Sequence, residues 1–276
     1  MNSTRRKLAI ATWDAPREGN IYGKLTVDAE ELMAYIARER ERTGKRVTVT
    51  TVVGLVVARA MKQAPGLNGR IRMGTFVPHD TVDITFLVAL EEGADLAKAT
   101  VRGAGDMPME ALTEELAQRA ARLRAGKDDD FEKNKSVIRM LPTWLLKPMV
   151  RLTGWMASSM GWSIPSLGVE RFAFGSAIIT SVGMFGLDEG FAPPTPFARV
   201  PVYVLVGAVR QRPAVVDGEL AIRRQLTITA TVDHRFMDGH QGGALAKTVR
   251  HLLENPWEID GQPAPATSPV ATPTTA

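Results

Sequence analysis

Apolar and polar residues alternate through Leu226–Val232, where Leu226, Ile228, Ala230 and Val232 interleave with Thr227, Thr229 and Thr231. That period is a strand's, with one face buried. Further on the period lengthens, and Leu245, Val249, Leu252 and Leu253 share one helical stripe. Between strand and helix lies HRFMDG, His234 to Gly239. Asp233 closes the strand, and Gly239 is expected to allow a tight turn into the helix.

The same pattern predicts elements along the rest of the chain. Ile21–Val27 alternates as a strand, and Ala29–Arg42 reads as an amphipathic helix stopped at Gly44. Residues 47–62 are rich in β-branched side chains, which favours strand. They are nevertheless too many for an ordinary strand and end at Pro65-Gly66, so a buried helix is expected. Ile71–Val77 and Val82–Leu90 read as strands joined by the turn Pro78-His79-Asp80, and Met109–Ala125 as a helix closed by Gly126. Phe174–Val182, Val202–Val209 and Glu219–Val232 are further strands, the last two linked by a hairpin turn at Val215-Val216-Asp217-Gly218. Thr4–Thr12 opens as a short helix with Arg5, Arg6 and Lys7 in its first turn, where cations oppose the helix dipole. One of these arginines facing inward would need a carboxylate. This order predicts an α/β fold: a mixed sheet covered by helices, one layer pair rather than two domains.

One stretch breaks the regular texture. Lys127–Gly168 begins with the polar run KDDDFEKNK and continues into an apolar segment with three of the chain's five tryptophans, Trp144, Trp155 and Trp162. Met140, Met149, Met156 and Met160 lie in it too. Leu152–Val169 is uncharged for 18 residues, yet it contains Pro165, four serines and three glycines. Freed backbone groups there would be unsatisfied in lipid, which argues against a membrane span. Pro142, Pro148 and Pro165 divide the segment into short helices or turns. It reads as a satellite layer on the core, or as a lid over a pocket, an oligomer contact or a surface that touches membrane. Gly261–Ala276 is a Pro/Thr/Ala-rich tail with the composition of disorder. The expected organisation is a catalytic domain over residues 1–260, with 127–168 inserted, followed by the tail.

Composition narrows the chemistry. There is no cysteine, which excludes disulfides, zinc–thiolate sites and thiol nucleophiles of the chain's own. Thirty-four Lys and Arg against thirty Asp and Glu give a net charge of +4, scattered along the chain. That suits a phosphate-bearing small ligand and is too weak to argue for nucleic acid. No secretory signal is read at the N-terminus, because Asp14 breaks its apolar run, and a cytoplasmic protein is expected.

HRFMDG resembles the H-x-x-x-D-G motif of the chloramphenicol acetyltransferase superfamily, and DHRFMDGHQGGALAKTVRHLLENP is closer still to the catalytic domain of dihydrolipoamide acyltransferases. TRRKLAIA resembles that family's opening helix, VTVTTVVGLVVARAMKQAPGLNG its core helix, and AIITSVGMFGLDEGFAPP the segment carrying a catalytic hydroxyl. The resemblance spans about residues 4–127 and 170–258. It implies a two-layer chloramphenicol acetyltransferase-like fold and a homotrimer, or a larger oligomer of trimers, with the site between subunits. His234 becomes the general base. Thr180 takes the place of the family's serine as oxyanion donor, with Ser181 as the alternative if the strand shifts by one residue. Asp238 is implied to pair with Arg6, or with Arg5, and to hold the histidine loop. Metal binding by His234, Asp238 and His240 is a rival reading, disfavoured because the turn points His240 elsewhere; His79 and His251 read as surface residues.

The resemblance also has gaps. No Asp-Lys-Ala lipoylation motif occurs, the core-like region begins within the first residues, and the loop EEGADLAKAT after Leu90 departs from the family's D-G-L-I-V-P pattern. The expectation is therefore a stand-alone acyltransferase using coenzyme A as substrate and passing the acyl group to a thiol or hydroxyl acceptor. The alternatives are a 2-oxoacid dehydrogenase component served by a lipoyl group in trans, and a non-catalytic trimeric scaffold.

Overall fold

A computed structural model describes residues 19–90, 95–126, 141–163, 165 and 169–261. The expected helix Thr4–Thr12 and the tail beyond Gly261 lie outside the described residues. The strands of the main sheet are β1 (Asn20–Asp28), β4 (Ile84–Leu90), β5 (Asp95–Val101), β6 (Ala177–Ser181), β7 (Val202–Val216) and β8 (Glu219–Asp233), in the order β1-β8-β7-β6-β4-β5. All neighbours are antiparallel except β6, which runs parallel to both β4 and β7. Helices α1 (Glu30–Thr43), α2 (Val49–Gln63), α3 (Met109–Arg124) and α5 (Gly239–Glu254) supply the covering layer. Leu32, Leu55, Leu112 and Leu253 of that layer join Ile84, Ile179, Val204 and Ile228 of the sheet in one core.

Residues 47–62 form the buried helix α2 as expected. Thr48 caps it by accepting a hydrogen bond from Thr51 N at 3.1 Å. Burial outweighs its β-branched propensity. Three expectations are corrected. Ile71–Val77 is not one strand but a hairpin, β2 (Gly69–Arg72) and β3 (Thr75–Pro78), which stands apart from the main sheet and does not pair with β4. Met73 and Gly74 both take positive φ, 50° and 80°, which folds the chain back on itself. Part of the supposed loop after Leu90 is strand β5, with Ala97, Ala99 and Val101 buried; alanine's weak strand propensity hid the alternation. The strand expected over Phe174–Val182 is confined to Ala177–Ser181, because Gly175 has a positive φ of 63°.

β8 is buried on both faces rather than one. Thr227, Thr229 and Thr231 point away from the helices yet are buried. The chain after β6 crosses this face: Phe191 packs edge-on against Tyr22 at 5.5 Å, Glu189 pairs with Lys24, and Gly190 O accepts a hydrogen bond from Thr229 Oγ1. Thr227 hydrogen-bonds Thr26 at 3.1 Å, whereas Thr231 Oγ1 has no partner among the described residues.

Helix α4 (Thr143–Gly154), which runs through Pro148 rather than being divided there as expected, and its wider-wound continuation Trp155–Met160 make up most of the described part of the insertion. Leu146 and Ala157 are buried, and Ser158 Oγ donates to Phe197 O at 3.2 Å, so one face does pack as a satellite layer. Among the described residues no helix is long and apolar enough to cross a membrane.

Candidate active site

The sequence HRFMDG alternates between anchors and exposed groups. Asp233 N donates to Pro201 O at 2.9 Å and closes β8 against the start of β7. His234 is exposed, and its backbone N–H donates to Gly19 O at 3.2 Å. Arg235 folds back onto the Asp233 carboxylate, with Nε 2.9 Å from Oδ1. Phe236 stacks edge-on with Phe76 of the β2–β3 hairpin at 6.1 Å, and Met237 is buried in the main core. Asp238 then caps α5 through a reciprocal pair: Gln241 N donates to Asp238 Oδ1 at 2.9 Å, and Asp238 N to Gln241 Oε1 at 3.1 Å. The turn is thus secured by its side chains and its cap. Gly239 sits inside the first turn of α5 with ordinary φ and free space around it, so the expected need for glycine's backbone freedom there is not met.

This arrangement leaves one imidazole presented from a braced loop. Its flanking residues are tied to β7, to the β2–β3 hairpin, to the core and to α5, which limits its positional freedom without covering the ring. Asp238 is exposed and its carboxylate is directed onto the helix N-terminus, where the helix dipole favours an anion. Arg5 and Arg6 lie outside the described residues. His240 is exposed on α5, and among the described residues no three His, Asp or Glu groups are gathered as metal ligands.

The candidate hydroxyls sit elsewhere. Thr180 and Ser181 end β6, and Thr180 pairs with Leu205 of β7, which pairs with Thr229 of β8. His234 therefore lies beyond the opposite end of the sheet from Thr180. The separation is roughly 16 Å along the strands and about 10 Å across them, from the usual rise per residue and strand spacing. Imidazole and hydroxyl of one chain cannot share a substrate carbonyl. Thr180 follows the face of Ile178, away from the helices, while Ser181 follows Ile179, which is buried in the helix-side core.

Sequence reasoning missed how the segment after β6 is held. Gly183 to Gly186 form a short turn packed on a bulge of β7 between Val206 and Val209. Asp188 joins Arg210 and Arg212 at 2.8 and 2.6 Å, and these guanidinium groups hold its carboxyl below the ordinary range. Gly207 is required here, because a Cβ would lie 1.9 Å from Asp188 O. This contact holds the segment that follows β6 against β7. His251 is a surface residue as expected, 2.9 Å from Glu258 Oε2. His79 is not: it is half-buried against Phe172 at 4.9 Å, and burial lowers its pKa.

The mixed sheet and its covering helices have a chloramphenicol acetyltransferase-like fold. Chloramphenicol acetyltransferase itself superposes with a TM-score of 0.50 at 14% identity, over 92% of this chain and 96% of that one. A probable dihydrolipoamide acetyltransferase from Listeria monocytogenes 4b F2365 superposes with a TM-score of 0.67 at 18% identity, over 92% and 93%. Residues 2–138 and 165–260 match the 2-oxoacid dehydrogenases acyltransferase (catalytic domain) family, and the chain belongs to it. A probable dihydrolipoyllysine-residue succinyltransferase component of the mitochondrial 2-oxoglutarate dehydrogenase complex of Schizosaccharomyces pombe is 24% identical over 222 residues, 78% of this chain and 39% of that one. The chain thus spans about 40% of the length of the curated relatives it matches.

Proposed function

We propose that this chain transfers acyl groups between acyl-CoA and a thiol or hydroxyl acceptor, with His234 as general base. The exposed imidazole on a braced strand-to-helix loop, in a chain of this family, is the observation that carries the reading. A thiol acceptor has a pKa of about 8.5 against about 6.5 for imidazole, so complete proton removal costs about 2.7 kcal/mol. Concerted removal as sulfur attacks the thioester carbonyl avoids forming the free thiolate. The proton passes from the acceptor to an imidazole nitrogen while the new S–C bond forms. The tetrahedral oxyanion then collapses, and the departing coenzyme A sulfur takes the proton back.

The oxyanion needs a donor that the same chain does not bring to His234. The distance along the sheet supports a site shared between copies, His234 of one facing the β6 end of the next, in a trimer or a larger assembly of trimers. Thr180 is favoured over Ser181 as that donor, because Ser181 follows the face turned toward the helix layer. Asp238 holds the loop, by its cap and, in this reading, by a charge pair with Arg6.

The family also favours a second reading, in which a lipoyl group supplied in trans is the acceptor. Acyl-CoA exchange with free dihydrolipoamide and with a lipoyl domain, by wild type and His234→Ala, tests both. Faster turnover with the lipoyl domain supports the complex component, and equal rates for wild type and His234→Ala remove the enzyme. Co-expression of His234→Ala with Thr180→Val tests the shared site, since mixed assemblies regain activity only if the two groups come from different copies.

A further inference from the structure

The β2–β3 hairpin stands apart from the main sheet, and a hairpin of two strands alone is marginal in water. Contacts on its two faces must therefore hold it. Successive side chains along a strand point opposite ways, and the register sorts this hairpin into two sets. Arg70 and Val77 share one face; Gly69, Ile71, Phe76 and Pro78 share the other. The first face meets the insertion through Phe172. Arg70 lays its guanidinium over the Phe172 ring, 4.4 Å from the centre, and His79, just past β3, meets the same ring edge-on at 4.9 Å. Phe172 in turn is tied to the insertion: its N–H donates to Ala157 O at 3.3 Å, and a Cβ on Gly161 would lie 2.6 Å from its ring. Its φ of 50° is one that a bulky residue holds only where the surroundings impose it. The second face meets the histidine loop. The Phe76 ring lies over Gly69, where a Cβ would come within 2.5 Å of it, and reaches Phe236, two residues after His234, edge-on at 6.1 Å.

We infer that the hairpin positions His234, with Phe76 bracing Phe236 on one face and Phe172 fixing the other face against the insertion. The inference rests on His234 as the general base, and it gives the insertion a use in that reaction. Phe236 is held on two sides. Its backbone lies on the turn after α2, where a Cβ on Gly66 would sit 3.7 Å from Phe236 O, and its ring meets Phe76. Phe76 is itself 40% exposed, so truncating it releases the Phe236 ring without opening a cavity in the main core. A general base works only while held in reach of the proton it takes, and a misplacement of about 1 Å can cost about 100-fold in rate. Phe76 and Phe172 are thus positioning residues that act on the reaction through the loop.

The test reads acyl-CoA exchange with free dihydrolipoamide and the state of the imidazole separately. Phe76→Ala should lower kcat about 10- to 100-fold with KM for acyl-CoA held within about 2-fold, and Phe76→Tyr, which keeps the ring, should retain most of the wild-type rate. Adding Phe236→Ala to Phe76→Ala should cost little more than either alone, because the two rings act as one contact. Phe172→Ala should lower kcat about 2- to 30-fold from the other face. The carbon-13 NMR signal of the His234 ring, identified by its loss in His234→Ala, should move in both Phe76→Ala and Phe172→Ala. If Phe76→Ala does not fold by circular dichroism, Phe76→Leu, which fills the space without an aromatic edge, is read in its place. A folded variant with wild-type kcat overturns the inference, as do additive losses in the double variant. An unmoved His234 signal overturns it as well, and that readout stands even where His234→Ala matches wild type and the general-base reading has failed.

Discussion

Two segments of this chain carry apolar residues at helical spacing, and they meet solvent in opposite ways. Along α5, Val249 and Leu253 turn into the core, while His234, just before the helix, is left exposed. Along α4 and its continuation, Leu146 turns inward and Trp144 and Trp155 remain outside, on a helix that runs through Pro148. In the first segment the strand period, the capping box and the helix stripe agree, and the larger side chains left at the surface are polar ones, His234 among them. In the second, local signals conflict, and the exposed groups are the costly kind, apolar and aromatic. Exposed groups without internal use in a folded protein are candidate contact sites, which is the reading proposed for His234.

Substitutions sharpen that contrast. The largest effect is expected at His234: His234→Ala should lower acyl transfer by about 100- to 10,000-fold, with the urea midpoint unchanged because the ring is exposed. A parallel loss of stability would mean that the imidazole is structural. The inner face of α4 should show the reverse. Leu146→Ala removes a fully buried side chain and should cost about 2–5 kcal/mol in urea unfolding, while Trp144→Ala on the outer face should stay within about 0.5 kcal/mol. Equal costs at the two positions would mean that the outer face is packed after all.

Asp238 separates two kinds of support for the histidine loop. Loss of its cap in Asp238→Ala should cost about 1 kcal/mol of stability. Asp238→Asn keeps a capping oxygen and removes the charge. If activity falls in Ala but survives in Asn, the cap alone positions His234; if both fall, a charge pair such as that expected with Arg6 is needed. The smallest effect belongs to His79. Its folded pKa lies below the unfolded 6.5 because burial disfavours the cation. The unfolded chain therefore binds more protons between the two values, and stability rises with pH across that window and falls as pH drops below 6.5. His79→Gln should flatten that dependence, read as the difference between wild-type and variant melting temperatures over about pH 5 to 7.

What could be read directly from the residues was whatever local periodicity encodes. The inward set of β8 and the stripe of α5 carry their own spacing, α2 was marked by its length and the Pro65-Gly66 stop, and HRFMDG lies where strand period gives way to helix period. Reading failed where distant chain decides. The alternation in β5 was masked by alanine, and the hairpin in Ile71–Val77 depended on left-handed φ at Met73, which side-chain spacing does not record. The second buried face of β8 exists because residues after β6 cross it, a contact between segments far apart in sequence.

The candidate site divides in the same way. Residue types and spacing were enough to single out His234 and Asp238, whereas the hydroxyl pair Thr180 and Ser181 came from the resemblance to the acyltransferase family. Strand order decided how far apart they lie. A parallel β6 and an antiparallel β8 leave the imidazole beyond one end of the sheet and the hydroxyls at the far end of β6, a separation set by hydrogen-bonded register that no linear pattern contains.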